Sequence, residues 1–274
     1  MWEVMFWPLM ACLLFPGLLV YLGLHVLKRE IIFVDIAMAQ MASLGACVAV
    51  LFHHDLRSPA AFMISMGFTL LGGAIFSAAR KRRSEVPLEA IIGIVYVMAA
   101  AMAVLLLSRA AEGDAQIKNM LVGNILLVTA ADVWKTVGLL SAIALFHWIL
   151  RKPFLTISFE PEKAWQSGMR VRWWDFLFYA SLGLVATILV RVAGVLLVFT
   201  YLIVPAACSM QLAKSFGIRL LVGWGITMAG GVAGLFLSFW LDLPSGAAIV
   251  CTFGVLMILA SFIGLLQRRL LKKT

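Results

Sequence analysis

The sequence predicts an all-α polytopic membrane protein with about nine (eight to nine) transmembrane helices. Three observations carry this prediction. Of the 274 residues, 64% are hydrophobic and only 13% charged, against about 25% charged in an ordinary soluble domain. The apolar residues fall into runs near the ~20 residues that a bilayer crossing takes. The basic residues gather in alternate connections between those runs, as topology requires of Lys and Arg.

The runs cover residues 4–27, 32–52, 60–79, 88–108, 133–150, 175–191, 192–213, 220–241 and 245–266. The first opens on MWEVMFWPLM. It has no basic stretch before it and no small-residue cleavage site, so it is expected to be a retained span rather than a removed signal peptide. The fifth and sixth are short between charges, and their ends are expected to rely on snorkelling side chains. Between the sixth and seventh only Arg191 interrupts the apolar sequence, which places the turn at RVAG. Pro205 then falls inside the seventh run, where a kink or a broken helix is expected.

The connections after the odd-numbered runs hold seventeen of the 22 Lys and Arg, including Lys28, Arg29, the Arg80–Arg83 cluster and the C-terminal Arg268, Arg269, Lys272 and Lys273. The other connections hold five: Arg57, Arg109, Lys118, Lys135 and Arg191. This bias predicts a multi-pass protein of the cell (inner or plasma) membrane, with an external N-terminus and a cytoplasmic C-terminus. Eight spans would break the alternation unless one segment were re-entrant. The net charge of +9 is explained by topology, and no nucleic-acid partner is expected. A single transmembrane domain is expected over the whole chain.

Two connections are too long for simple turns. The external one, about 109–132, ends in LVGNILLVTAAD, apolar but too short to span, and reads as a helix lying at the outer mouth. The cytoplasmic one, about 152–174, carries a helical stretch, EKAWQSG, after Pro161 and ended by Gly168.

The four cysteines, Cys12, Cys47, Cys208 and Cys251, are scattered singly in apolar runs. They form neither a disulfide framework nor a CxxC metal site and read as buried packing thiols. There is no GxxxxGK[ST], no HExxH and no Ser/His/Asp constellation. The chain is therefore not read as an enzyme, no resident cofactor is expected, and energy for driven work would come from a partner chain or an ion gradient.

Among candidate site residues Asp35 stands first, one carboxylate inside the apolar second run. At the centre of a lipid-facing helix it would cost about 2.5–3.5 kcal/mol. It either lines a substrate path, with Met38 and Gln40 nearby, or pairs with Lys28, Arg29 or a neighbouring helix. Ala39, Ala42, Gly45, Ala46 and Ala49 on the same run permit close packing and place the helix inside the bundle, which favours the path. His53, His54 and Asp55 offer a transient metal-ligand set, although adjacent histidines cannot both face one site from a regular helix. His25 and His147 read as interfacial residues. Glu85 and Glu89, in or near the first turn of the fourth span, read as dipole-complementing carboxylates, and Asp132 as the N-cap of the fifth. Trp2, Trp7, Trp134, Trp173, Trp174, Trp224 and Trp240 lie toward span ends, as an aromatic belt does.

Several stretches together resemble the membrane permease subunit of zinc/manganese-type (divalent metal) ABC importers. These are HVLKREIIFVDIAMAQ, SEVPLEAIIGIVY, LVGNILLVTAAD, FEPEKAWQSGMRVRWWD and RVAGVLLVFTYLIVPAACSMQLAKS, in an order that covers nearly the whole chain. The resemblance implies an ABC permease fold and a cytoplasmic coupling helix at 159–168, with Glu160, Ala164 and Gly168 at motif positions. It also implies an external gate-side segment with Gly123 and Asp132, and a structural proline at Pro205. It implies two permease copies with the path between them, a separate ATP-binding subunit and an external metal-binding protein. The cargo would be a divalent metal held transiently, zinc first and manganese or iron behind it. Asp35 matches the family's path aspartate. The histidine that many members carry one turn later is Ala39 here, and Gln40 lies about 100° further round. Alternative readings are an ion- or proton-coupled secondary transporter, with Asp35 titrating, and an ABC permease for another small solute.

Overall fold

The computed structural model describes residues 2–55, 58–82, 85–108, 125 and 128–271. Among these residues there are twelve α-helices and no strand. They are α1 (Trp2–Leu14), α2 (Pro16–Lys28), α3 (Val34–Leu51), α4 (Pro59–Ala79), α5 (Leu88–Leu107), α6 (Ala130–Ile149), α7 (Arg151–Phe159), α8 (Pro161–Gln166), α9 (Val171–Ala193), α10 (Val195–Leu212), α11 (Phe216–Leu241) and α12 (Ser245–Leu271). Eight spans pass on length and apolar character, with α1 and α2 counted together as Met5–Lys28; the bent pair α6–α7 makes a ninth.

Local chemistry sets the ends. Pro16 starts α2 and biases Phe15 away from helix, which breaks the first span into two pieces. Ser58 caps α4, its Oγ accepting from the Ala61 N–H at 3.2 Å ahead of Pro59. At α6 the Thr129 Oγ1 accepts from the Asp132 N–H at 3.3 Å, while Asp132 Oδ2 accepts from the Thr129 N–H and hydroxyl. This is a reciprocal capping box, so Thr129 is the cap and Asp132, read as the N-cap from sequence, is its third-position partner. Gly194, at φ 83°, separates α9 from α10 at the expected RVAG. Pro205 lies inside α10.

The chain divides into two compact units. The first comprises Met1–Leu27, Val122–Ser141 and Val192–Thr274. In it α11 packs on α1, α10 and α12, and α10 also packs on α12. Gly23 of α2 lies so close to the Leu202 carbonyl of α10 that no Cβ fits between them. His25, read from sequence as interfacial, is fully buried, its ring beside Tyr21 at 4.5 Å and Phe216 at 6.1 Å. Aromatic neighbours from α2 and α11 hold it inside.

The second unit comprises Lys28–Leu121 and Ala142–Arg191. Here α3 packs on α4 and α5, with Met41, Leu44 and Cys47 against Ala99 and Ala103. Lipid removes much of the hydrophobic drive for helix association, so close backbone approach replaces it. Gly45 supplies that approach: a Cβ there would sit 2.6 Å from the Ser65 Cα of α4. The small-residue face anticipated for this helix is buried, Ala39, Ala42, Ala46 and Ala49 included. His147 is also buried, against the interfacial expectation. It stacks on Phe154 at 4.4 Å and its Nε2 lies 2.8 Å from Ser181 Oγ. Cys12, Cys47 and Cys208 are buried free thiols as expected, whereas Cys251 is exposed on α12.

Candidate functional site

Asp35 enters in the first turn of α3. The chain reaches it through a left-handed residue, Glu30 at φ 57°, and the turn that follows α2. Phe33, the N-cap, supplies no side-chain cap of its own. The cap comes from α5 instead, where Glu89 Oε1 accepts the Phe33 N–H at 3.0 Å. A carboxylate at the positive end of a helix is favourable. The first-turn carboxylate of α5 therefore serves a second helix, a role that sequence did not disclose.

Asp35 is 3% exposed. Among the described residues it forms no ion pair, and its Oδ1 has no hydrogen-bond partner. The cations proposed for it lie elsewhere: Arg29 is paired with Asp175, and Lys28 lies 5.9 Å over the Phe159 ring.

One turn along α3, Ala39 lines a small cavity of about 20 Å³ with Ala42, Ser43, Ala46, Ser65, Thr187 and Val190, room for roughly one water. Its polar lining is hydroxyl oxygen. Ser65 Oγ is buried with no partner among the described residues, and Thr187 Oγ1 lies 3.2 Å from Thr69 Oγ1. Met38 is fully buried against α4 and α9, where Gly72, Gly73 and Gly183 leave room for its thioether. Gln40 is half-buried on another face of α3.

His53 and His54 stand at the far end of α3, about 27 Å from Asp35 at 1.5 Å per residue, and both are exposed. His53 is left-handed at φ 59°. The His53 N–H donates to the Val50 carbonyl and the His54 N–H to the Ala49 carbonyl, at 2.9 and 3.0 Å. These are the two bonds of a Schellman motif, so the pair closes α3. Among the described residues no group of three or more His, Cys, Asp or Glu could hold a metal.

The 152–174 segment forms α7 and α8, with Glu160 between them. Ala164 is buried against Ile157 and Val171, with Trp165, Met169 and Trp174 around them. Glu160, Glu162, Lys163 and Gln166 are exposed. Gly168 ends α8 at φ 69°, its N–H donating to the Trp165 carbonyl. Glu160 bonds Lys163 at 2.9 Å and holds its ammonium above the usual lysine range. Glu162 meets Arg82 at 2.8 Å, an exposed pair worth at most about 1 kcal/mol.

Beneath this surface lies a buried charge cluster that sequence did not reveal. Arg29 donates to Asp175 and, at 2.8 Å, to Ser158 Oγ of α7, with its guanidinium 4.0 Å over the Phe178 ring. Arg80 Nε lies 3.5 Å from the other Asp175 oxygen. Removing one member of such a buried pair costs about 3–5 kcal/mol. The cluster ties α7, and through it the exposed α8, to the residue that leads into α3.

Of the gate-side residues, Asp132 is placed by its capping box, and Gly123 lies outside the described residues. Pro205 is buried in α10.

The family model described as the ABC 3 transport family matches residues 1–264. The manganese import system permease protein ScaB of Streptococcus gordonii is 30% identical over 212 residues, covering 77% of this chain and 76% of that protein. The manganese transport system membrane protein MntC of Listeria innocua is 28% identical over 210 residues, 73% of each. Among solved structures, PsaBC from Streptococcus pneumoniae in complex with Fab aligns with a TM-score of 0.81 at 25% identity, over 99% of this chain and 96% of that one.

Proposed function

Because the chain belongs to the ABC 3 transport family, we propose that it is the membrane permease subunit of an ATP-driven importer of a divalent metal. The observation that carries this reading is the family match over residues 1–264, joined to a fold likeness that covers 99% of the chain. ATP hydrolysis belongs to a separate ATP-binding subunit, with an external metal-binding protein delivering the ion to a pair of permeases. Manganese moves ahead of zinc and iron in this reading. The relatives ScaB and MntC are named for manganese, and carboxylate and hydroxyl oxygens suit it better than they suit zinc.

Asp35 is read as a path residue, because a buried carboxylate without an ion pair among the described residues is available to a passing cation. The exposed face of α8 is read as the surface that docks on the ATPase, with Ala164 anchoring it from within. A closing ATPase dimer would push this face, and the Arg29–Asp175 cluster gives the push a rigid seat.

The test is reconstitution of the chain with its copurified ATPase in liposomes. Metal uptake is expected with ATP and is expected to be absent without it. Uptake by the chain alone, down a proton gradient and without nucleotide, would make it a secondary transporter instead.

A further inference from the structure

Two carboxylates stand at the first turn of α3, and each keeps one oxygen in reserve. Glu89 spends Oε1 on the Phe33 N–H, a backbone position about 3 Å of helix rise from Asp35. Glu89 Oε2 and Asp35 Oδ1 are both buried and, among the described residues, have no hydrogen-bond partner. Capping α3 does not by itself call for a negative charge, because a neutral amide oxygen would also accept from the Phe33 N–H. Asp35 is buried and Glu89 half-buried, and like charges brought together where water is scarce are costly until a cation or a proton joins them.

We propose that Glu89 is a second cargo ligand beside Asp35, and that the pair forms an all-oxygen station for a hard divalent cation of the Mn²⁺ type. The inference rests on reading the chain as a divalent-metal permease, and it names the residue that sets the choice of ion. Carboxylate, carbonyl and water ligands suit manganese, whereas imidazole and thiolate favour zinc. Softer donors are kept away from the pair. The position one turn on is Ala39, Met38 is packed among glycines of α4 and α9, and Cys47 lies about 18 Å further along the helix. With two protein carboxylates, the ion keeps part of its water shell. The positive end of the α3 dipole also opposes the cation. Both effects keep binding weak, as suits a site that must release its ion.

Glu89→Gln separates the two roles of this residue. The amide oxygen still accepts from Phe33, so the cap persists, while the charge is lost. In cells carrying the full chain with its ATPase, ⁵⁴Mn²⁺ accumulation is expected to fall by about tenfold or more at equal chain content in the membrane, and ⁶⁵Zn²⁺ accumulation by less. Glu89→Asp is expected to retain more manganese uptake than Glu89→Gln. Binding of Mn²⁺ to the purified chain, read from the electron paramagnetic resonance signal of the free ion, is expected to weaken to a similar degree in Glu89→Gln. Wild-type manganese uptake and binding in Glu89→Gln would overturn the proposal. So would equal losses of both metals in both variants that track loss of chain from the membrane, the mark of a cap alone. Failure of the transport reading is distinguishable, because the wild-type chain would then accumulate neither metal.

Discussion

Asp35 is a residue whose stability and activity are set against each other. An ionised carboxylate in a membrane-spanning helix costs free energy, and among the described residues no ion pair offsets it here. Asp35→Asn keeps the shape and removes the charge. The folded chain is expected to be as stable as the wild type or slightly more so, while metal uptake falls by about tenfold or more. Thermal denaturation of the purified chain and radiometal uptake at equal expression check the two halves. Unchanged uptake would make Asp35 a structural residue. Asp35 was legible in the sequence because a charge in an apolar run has few innocent explanations. Glu89 was not, because a carboxylate in a first helical turn already has one, and its bond to Phe33 joins residues 56 apart. His53 and His54 show the reverse. Their chemistry suggested metal, but backbone conformation decides their place as the end of α3.

At the scale of elements, the lipid-crossing helices were readable because a bilayer leaves the backbone little choice but helix, and their ends carried capping signals. The α7 helix was not readable. RKPFLTISF is polar enough to resemble a loop, yet Pro153 lies within the first turn, where a missing N–H costs nothing. The chain bends 77° between α6 and α7, a feature of tertiary packing that periodicity does not report. EKAWQSG was legible because Gly168 has a physical reason to follow a helix, a left-handed φ of 69°. Proline, fixed near −65°, cannot adopt that conformation. Gly168→Pro is therefore expected to distort the end of α8, and Glu160→Lys to reverse the charge at its exposed start. In proteoliposomes containing the ATPase, both variants are expected to retain ATP hydrolysis and lose most metal uptake. Tight wild-type coupling of hydrolysis to uptake in both would mean that the docking element lies elsewhere.

For the whole molecule, the span count decides on which side of the membrane the two ends lie. Eight spans pass on length and apolar character alone, and α6 qualifies only together with α7. Yet α6 has 20 residues, about 30 Å of helix, which matches the hydrocarbon thickness. Its charged residues Asp132 and Lys135 lie in its first two turns, where they can reach the interface. Counting α6 as a crossing gives nine spans and keeps the Lys and Arg bias consistent at each connection. The expected topology is an external N-terminus with a cytoplasmic C-terminus. A fluorescent protein fused after Thr274 is then expected to fluoresce in intact cells. A cysteine added ahead of Met1 is expected to react with a membrane-impermeant maleimide from outside, against the unmodified chain as background. Both ends on one side would give eight crossings, make α6 re-entrant, and remove the alternation of charge on which the orientation rests.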